Sequence, residues 1–208
     1  MKTKAILFDF DGVIADTEPQ YDFYFNRLGE EYGLGNNFAA KVKGVTLPNM
    51  LEKYFSALSE NVKQKITADT LLFEKNMDFR FIRGAQEFID YLKTTDCKTA
   101  LVTSSPQGKM DIALEKMGLS FDTIVTATQI TQGKPHPMCY LLAAENLGVS
   151  PNDCVVFEDS IAGIQSGKAA GAKVVALATT LPAETLKNYA ENIIPDFGDL
   201  ELINRIIE

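Results

Sequence analysis

Four short stretches hold residue types that could do chemistry together: Asp9-Phe10-Asp11-Gly12, Thr103-Ser104-Ser105, Gly133-Lys134-Pro135 and Glu158-Asp159-Ser160. The chain has one histidine, His136, which removes multi-histidine metal sites and most imidazole schemes and leaves carboxylate chemistry. Carboxylates gathered within a few ångströms repel one another and raise one another's pKa values unless a cation lies among them. Mg2+ prefers oxygen ligands and usually takes one or two carboxylates with waters and a substrate phosphate. Asp9 with Glu158 and Asp159 would form such a half-site. A carboxylate can also attack phosphorus, giving an aspartyl-phosphate. The Thr103 hydroxyl, backbone N–H groups near Ser104 and the Lys134 ammonium would balance charge on the transferring phosphoryl oxygens. The chemistry this set suits is magnesium-assisted phosphoryl transfer.

These residues need elements to bring them together. Short apolar runs at 4–8 (KAILF), 98–102 (KTALV), 123–127 (TIVTA), 154–157 (CVVF) and 173–177 (KVVAL) alternate with helix-period segments such as Phe88–Ile89–Leu92, Met110–Ala113–Leu114–Met117 and Leu141–Ala144–Leu147. That alternation predicts an α/β, Rossmann-like, mostly parallel sheet with helices on both faces. The stretch 193–197 (IIPDF) adds an expected edge strand, the only place where Pro195 fits. In such sheets ligands bind at the carboxyl ends of the strands, and all four polar stretches follow a strand. Residues 16–80 break the rhythm. Tyr21, Tyr24, Phe25, Leu28 and Tyr32 line one helical face, Leu47, Met50, Leu51, Tyr54, Phe55 and Leu58 another, and a third helix is expected from about Val62 to Met77. Gly33 to Asn37 reads as a helix stop and turn. The expected organisation is a core of 1–15 and 81–208 with a small all-helical cap inserted at 16–80.

Composition narrows the partners. The 208 residues are 46% hydrophobic, and 20 Lys and Arg against 28 Asp and Glu give a net charge of −8. Nucleic acid and anionic membrane are therefore not expected as partners, since both are bound by clustered cations. No apolar run approaches the ~20 residues of a membrane helix. The stretch after the two N-terminal lysines is too short and acidic for a signal peptide. Cys97, Cys139 and Cys154 are odd in number and lack CxxC spacing, which reads as free thiols in a reducing cytoplasm. No GxSxG elbow and no GxxxxGK[ST] loop is present, so serine-hydrolase and P-loop chemistry are set aside.

DFDGVIADTE resembles the DxDGxxxDT signature of the haloacid dehalogenase-like hydrolases, and VTSS, GKPHP and VFEDSIAGIQSGKAAG resemble that family's next three motifs, in order. The likeness covers essentially the whole chain and is greatest to the β-phosphoglucomutase-like and sugar-phosphate phosphatase branch. It implies that Asp9 is the nucleophile and Asp11 the general acid/base. It further implies that the Asp11 backbone carbonyl joins Asp9, Glu158 and Asp159 around Mg2+, that Thr103 and Ser104 bind phosphate, and that Lys134 anchors nucleophile and phosphate. His136 stands where the family usually has a small residue and reads as a loop side chain. Ser105-Pro106 reads as a helix entry.

Within that branch, mutases carry a cap-hinge histidine where this chain has Tyr21 and a cap arginine where it has Leu47. A bidentate arginine is the natural grip for a bisphosphate's distal group, and Lys43 or Lys75 is not an equivalent clamp. Hydrolysis of a small phosphate ester, a sugar phosphate, by a monomer is thus the expectation. A β-phosphoglucomutase is the alternative, and a phospho-receiver or non-catalytic sugar-phosphate sensor the alternative of another class. Selectivity is expected from the cap, near Glu18, Tyr21, Lys43, Thr46 and Asn49. The acidic balance does not bar an anionic ester, because Mg2+, Lys134 and oriented N–H groups act locally.

Overall fold

Strand β1 (Ala5–Phe8) reads AILF and is buried throughout, as a central strand covered on both faces must be. The computed structural model describes residues 3–43 and 45–208. In chain order, β1 is followed by helices α1 (Glu18–Glu31), α2 (Phe38–Val42), α3 (Leu47–Phe55), α4 (Glu60–Lys75) and α5 (Ala85–Leu92). Then come β2 (Lys98–Val102), α6 (Gln107–Met117), β3 (Thr123–Val125), α7 (Met138–Leu147), β4 (Cys154–Glu158), α8 (Ile161–Ala169), β5 (Lys173–Leu177), α9 (Ala183–Leu186), β6 (Asn192–Ile194) and α10 (Leu200–Ile207).

The six strands are parallel, in the order β3-β2-β1-β4-β5-β6. Alternation along β1 sorts the core: Ile6 and Phe8 join one apolar layer with residues of α5, α6 and α10, while Ala5 and Leu7 join the other with residues of α7, α8 and α9. Phe8 stacks on Phe157 with ring centroids 5.6 Å apart, locking β1 to β4 on the first face. The chain winds outward from β1 on one side and from β4 on the other. The gap between their carboxyl ends is therefore the topological switch point, where such sheets open a crevice.

The chain divides into two compact units, one of Met1–Asp16 with Phe79–Glu208 and one of Thr17–Asp78. The second holds α1 to α4 around its own core of Leu28, Phe38, Val42, Met50, Phe55 and Ile66. Some element boundaries differ from the sequence reading. The third strand stops at Val125, not at residue 127, because Thr126 starts a 3-10 turn in a capping box with Gln129. The edge strand is Asn192–Ile194, so Pro195 lies just past it. The long cap helix begins two residues earlier than expected, after Ser59. The five-residue α2 is too short to show a period.

Candidate active site

Asp9 is the first residue past β1, yet its N–H still donates to the Phe157 carbonyl at 3.0 Å. The ladder thus holds the carboxylate at the switch point. The chain then turns sharply at Gly12, whose φ of +76° belongs to glycine. A Cβ there would also stand 2.1 Å from Asp159 Oδ2. The loop after β1 and the loop after β4 meet at this point, and the missing side chain lets them.

Glu158 ends β4 and is fully buried. Its Oε1 accepts from Lys134 Nζ at 2.6 Å and from the Tyr140 hydroxyl at 2.8 Å. Its Oε2 accepts from the N–H groups of Asp159 and Ser160, at 3.1 and 3.2 Å, and from Ser160 Oγ at 3.0 Å. Ser160 is also the N-cap of α8, accepting from the Gly163 N–H at 3.0 Å. Lys134 Nζ bonds Asp9 Oδ1 at 2.7 Å and the Val102 carbonyl at 3.2 Å. One ammonium thus ties together the ends of β1, β2 and β4.

The electrostatics follow from that burial. Burial pushes Asp9 up to about 7, with Lys134 opposing and Glu158 and Asp11 adding to the rise. Burial also works against the Lys134 ammonium, but the Asp9 and Glu158 carboxylates overcome it and hold Lys134 well above its ordinary value. Carboxylate oxygens of Asp9, Glu158 and Asp159 lie within 4.8 Å of one another. Among the described residues, Lys134 bonds two of these three acids, Asp9 and Glu158. Thr180 Oγ1 is a buried side-chain atom with no hydrogen-bond partner among the described residues. It lies 2.7 Å from the same Gly12 Cβ position that stands against Asp159. An all-oxygen, acidic donor set beside an orphaned hydroxyl fits a hard, hydrated divalent cation such as Mg2+.

Asp11 is held differently. Lys109 Nζ bonds both its oxygens, at 2.6 and 2.7 Å, and Ser105 Oγ donates to Oδ2 at 2.9 Å. Thr103 is buried, and its Oγ1 accepts from the Ser105 N–H at 3.0 Å. Ser104 is exposed at the tip of the same turn. Sequence reasoning missed Lys109 and Tyr140 and gave Ser105 only the helix-entry role. For Lys109 one signal existed: a basic residue in the first turn of a helix opposes the helix dipole. His136 accepts from the Met138 N–H at Nδ1, 3.2 Å away, as part of its loop.

The cap residues lie in the other unit. Glu18 opens α1, and its Oε2 is 2.6 Å from Lys43 Nζ, which is also 3.6 Å from Asp22. Tyr21 donates to Glu74 at 3.0 Å and stacks on Phe25. Thr46 precedes α3 and Asn49 lies on it, both exposed.

The chain is similar to known proteins in sequence and in fold. The sequence model of a family described as haloacid dehalogenase-like hydrolase matches residues 6–177. The chain is 34% identical over 180 residues to the phosphorylated carbohydrates phosphatase of Thermotoga maritima, covering 81% of this chain and 82% of that protein. Its fold matches a HAD hydrolase, family IA, variant 3, from Entamoeba histolytica, with a TM-score of 0.83 at 25% identity over 100% of this chain and 99% of that one. It also matches a β-phosphoglucomutase from Clostridium difficile, with a TM-score of 0.79 at 25% identity over 100% of this chain and 97% of that one.

Proposed function

The chain belongs to the haloacid dehalogenase-like hydrolases, and from that premise we propose that it hydrolyses the phosphate ester of a small carbohydrate through an aspartyl-phosphate on Asp9. The observation that carries the reading is the buried junction at the switch point, where Lys134 bonds both Asp9 and Glu158 while Asp159 lies alongside. Lys134 bonds Asp9 Oδ1, which restrains the carboxylate that must meet phosphorus.

In the first half-reaction an Asp9 oxygen bonds phosphorus, the bond from phosphorus to the sugar oxygen breaks, and Asp11 gives that oxygen its proton. In the second, water bonds phosphorus and passes a proton to Asp11, and the bond to Asp9 breaks to release phosphate. Lys134, the Thr103 turn and the N–H groups around Ser104 bear the charge on the phosphoryl oxygens. Asp9, Glu158, Asp159 and the Asp11 carbonyl would hold Mg2+, which supplies positive charge to the acids and the phosphoryl group. Glu158 also accepts from five donors, which lets it hold Lys134 and the β4 loop in place.

Hydrolysis is favoured over mutase activity by Lys43. A mutase needs a cation for a second phosphate, and Lys43 is already matched by Glu18 and Asp22, while Tyr21 packs against Phe25 and Phe73. A panel of sugar monophosphates assayed with Mg2+, beside a glucose 1-phosphate isomerisation assay primed with bisphosphate, tests the reading. Phosphate release that is lost in Asp9→Asn and in chelator is expected. Isomerisation outrunning hydrolysis would overturn it, and turnover unaffected by Asp9→Asn would remove the nucleophile.

A further inference from the structure

Lys109 is placed where a lysine costs most. It lies in the first turn of α6, against the helix dipole, and its side chain is 1% exposed, a condition lysines tolerate only when paired. Its pairing is specific: Asp11 Oδ1 at 2.6 Å, Asp11 Oδ2 at 2.7 Å and Ser105 Oγ at 3.0 Å, with the ammonium 5.6 Å above the Phe10 ring. Ser105 in turn donates to Asp11 Oδ2 and is itself held by Thr103. The carboxylate is thus clamped from the β2 side, by residues outside the cluster of Asp9, Lys134, Glu158 and Asp159.

We propose that Lys109, with Ser105, is the positioning residue that sets Asp11 as the base for the water step, the half-reaction in which Asp9-phosphate is hydrolysed. The inference rests on the reading of Asp9 and Asp11 given above. Asp11 stands two residues past the nucleophile on a tight loop, and its side chain has rotamers that turn it away from any water aimed at Asp9. A two-oxygen grip from a helix rooted in the core selects one of them. Both Asp11 oxygens are engaged by this clamp, Oδ1 by Lys109 and Oδ2 by Lys109 and Ser105. The water proton then goes to Asp11 while its oxygen bonds phosphorus and the bond to Asp9 breaks. Lys109 bonds the carboxylate of Asp11, and the effect proposed for it acts through the placement of that group.

p-Nitrophenyl phosphate separates the two half-reactions, because p-nitrophenolate leaves without needing a proton. Rapid-mix measurement with Mg2+ gives the burst of nitrophenolate, which reports phosphorylation of Asp9, and the decay of acid-quenched phosphoenzyme, which reports the water step. In Lys109→Met the burst rate should stay near wild type while the decay slows about 10- to 100-fold, part of the range a positioned base supplies. Lys109→Arg should recover most of it. Burst and decay falling together, or neither changing, would overturn the proposal. Ser105→Ala removes only one hydroxyl and should show the same signature at smaller size should Lys109→Met fold poorly; an unchanged decay in Ser105→Ala would count equally against it. Asp11→Asn keeps the two failures apart. If Asp11→Asn bursts and then stalls but Lys109→Met decays normally, only the role of Lys109 is lost. If Asp11→Asn turns over like wild type, the reading of Asp11 itself falls.

Discussion

Asp9 must be ionised to attack phosphorus, yet burial pushes its pKa up to about 7. The native pKa lies above the unfolded value of about 3.9, so the metal-free native state holds this proton more tightly than the unfolded chain. The stability this contributes is present below the unfolded value and is lost as pH rises through about 7. Asp9→Asn carries no such proton. In chelator it should melt close to wild type near pH 4 and above it at pH 8, and Mg2+ should raise the wild-type melting temperature at pH 8 far more than that of Asp9→Asn. Parallel melting curves across pH would contradict this. Gly163 makes a second point at this scale. A Cβ there would stand 1.8 Å from Glu158 Oε1, and Glu158 is fixed by five hydrogen bonds and cannot swing aside. Gly163→Ala should cost roughly 1–3 kcal/mol, the range for overpacking a filled core, with a larger loss of activity because Lys134 loses its anchor. Thermal melts and kcat on one preparation check both. The acids and Lys134 could be singled out in the sequence because four polar stretches each follow a strand and stand in the order of known motifs. Lys109 could not be, because a lysine near a helix start usually points to water and only the fold reveals its burial.

At the scale of elements, the loop after β4 depends on the start of α8. Ser160 caps that helix through Gly163 and also donates to Glu158, so one hydroxyl joins a helix end to the acid cluster. Ser160→Ala should cost about 1 kcal/mol, the usual value of a lost N-cap, with a modest fall in kcat, read from denaturant titration and steady-state rates. A neutral result would mean water replaces the hydroxyl fully. Strand identity was readable in advance because fully buried parallel strands are continuous apolar runs, as in AILF of β1. Strand ends were less so, as at Val125, where a side-chain cap and not hydropathy ends the pairing. The short α2 was hidden for another reason: five residues cannot display a period of 3.6, and its place is set by Phe38 entering the core of its unit.

At the scale of the whole molecule, a net charge of −8 would repel an anionic ester if charge acted only as a sum. Lys134 and Lys109 are instead buried among acids at the carboxyl ends of the strands, so the field an ester meets there is local. The 17–78 unit has its own core, and we propose that it selects the substrate through Glu18, Lys43, Thr46 and Asn49. Exchanging it for the corresponding segment of a related phosphatase should change the order of preferred sugar phosphates while leaving the Mg2+ requirement in place; an unchanged order would remove the cap from specificity. The central claim is chemical and can be read directly. Enzyme mixed with a phosphorus-labelled sugar phosphate and Mg2+, quenched in acid and digested, should carry label on the peptide containing Asp9, and Asp9→Asn should carry none. Rapid phosphate release by the wild type with no labelled peptide at any quench time, or label equally present in Asp9→Asn, would contradict it.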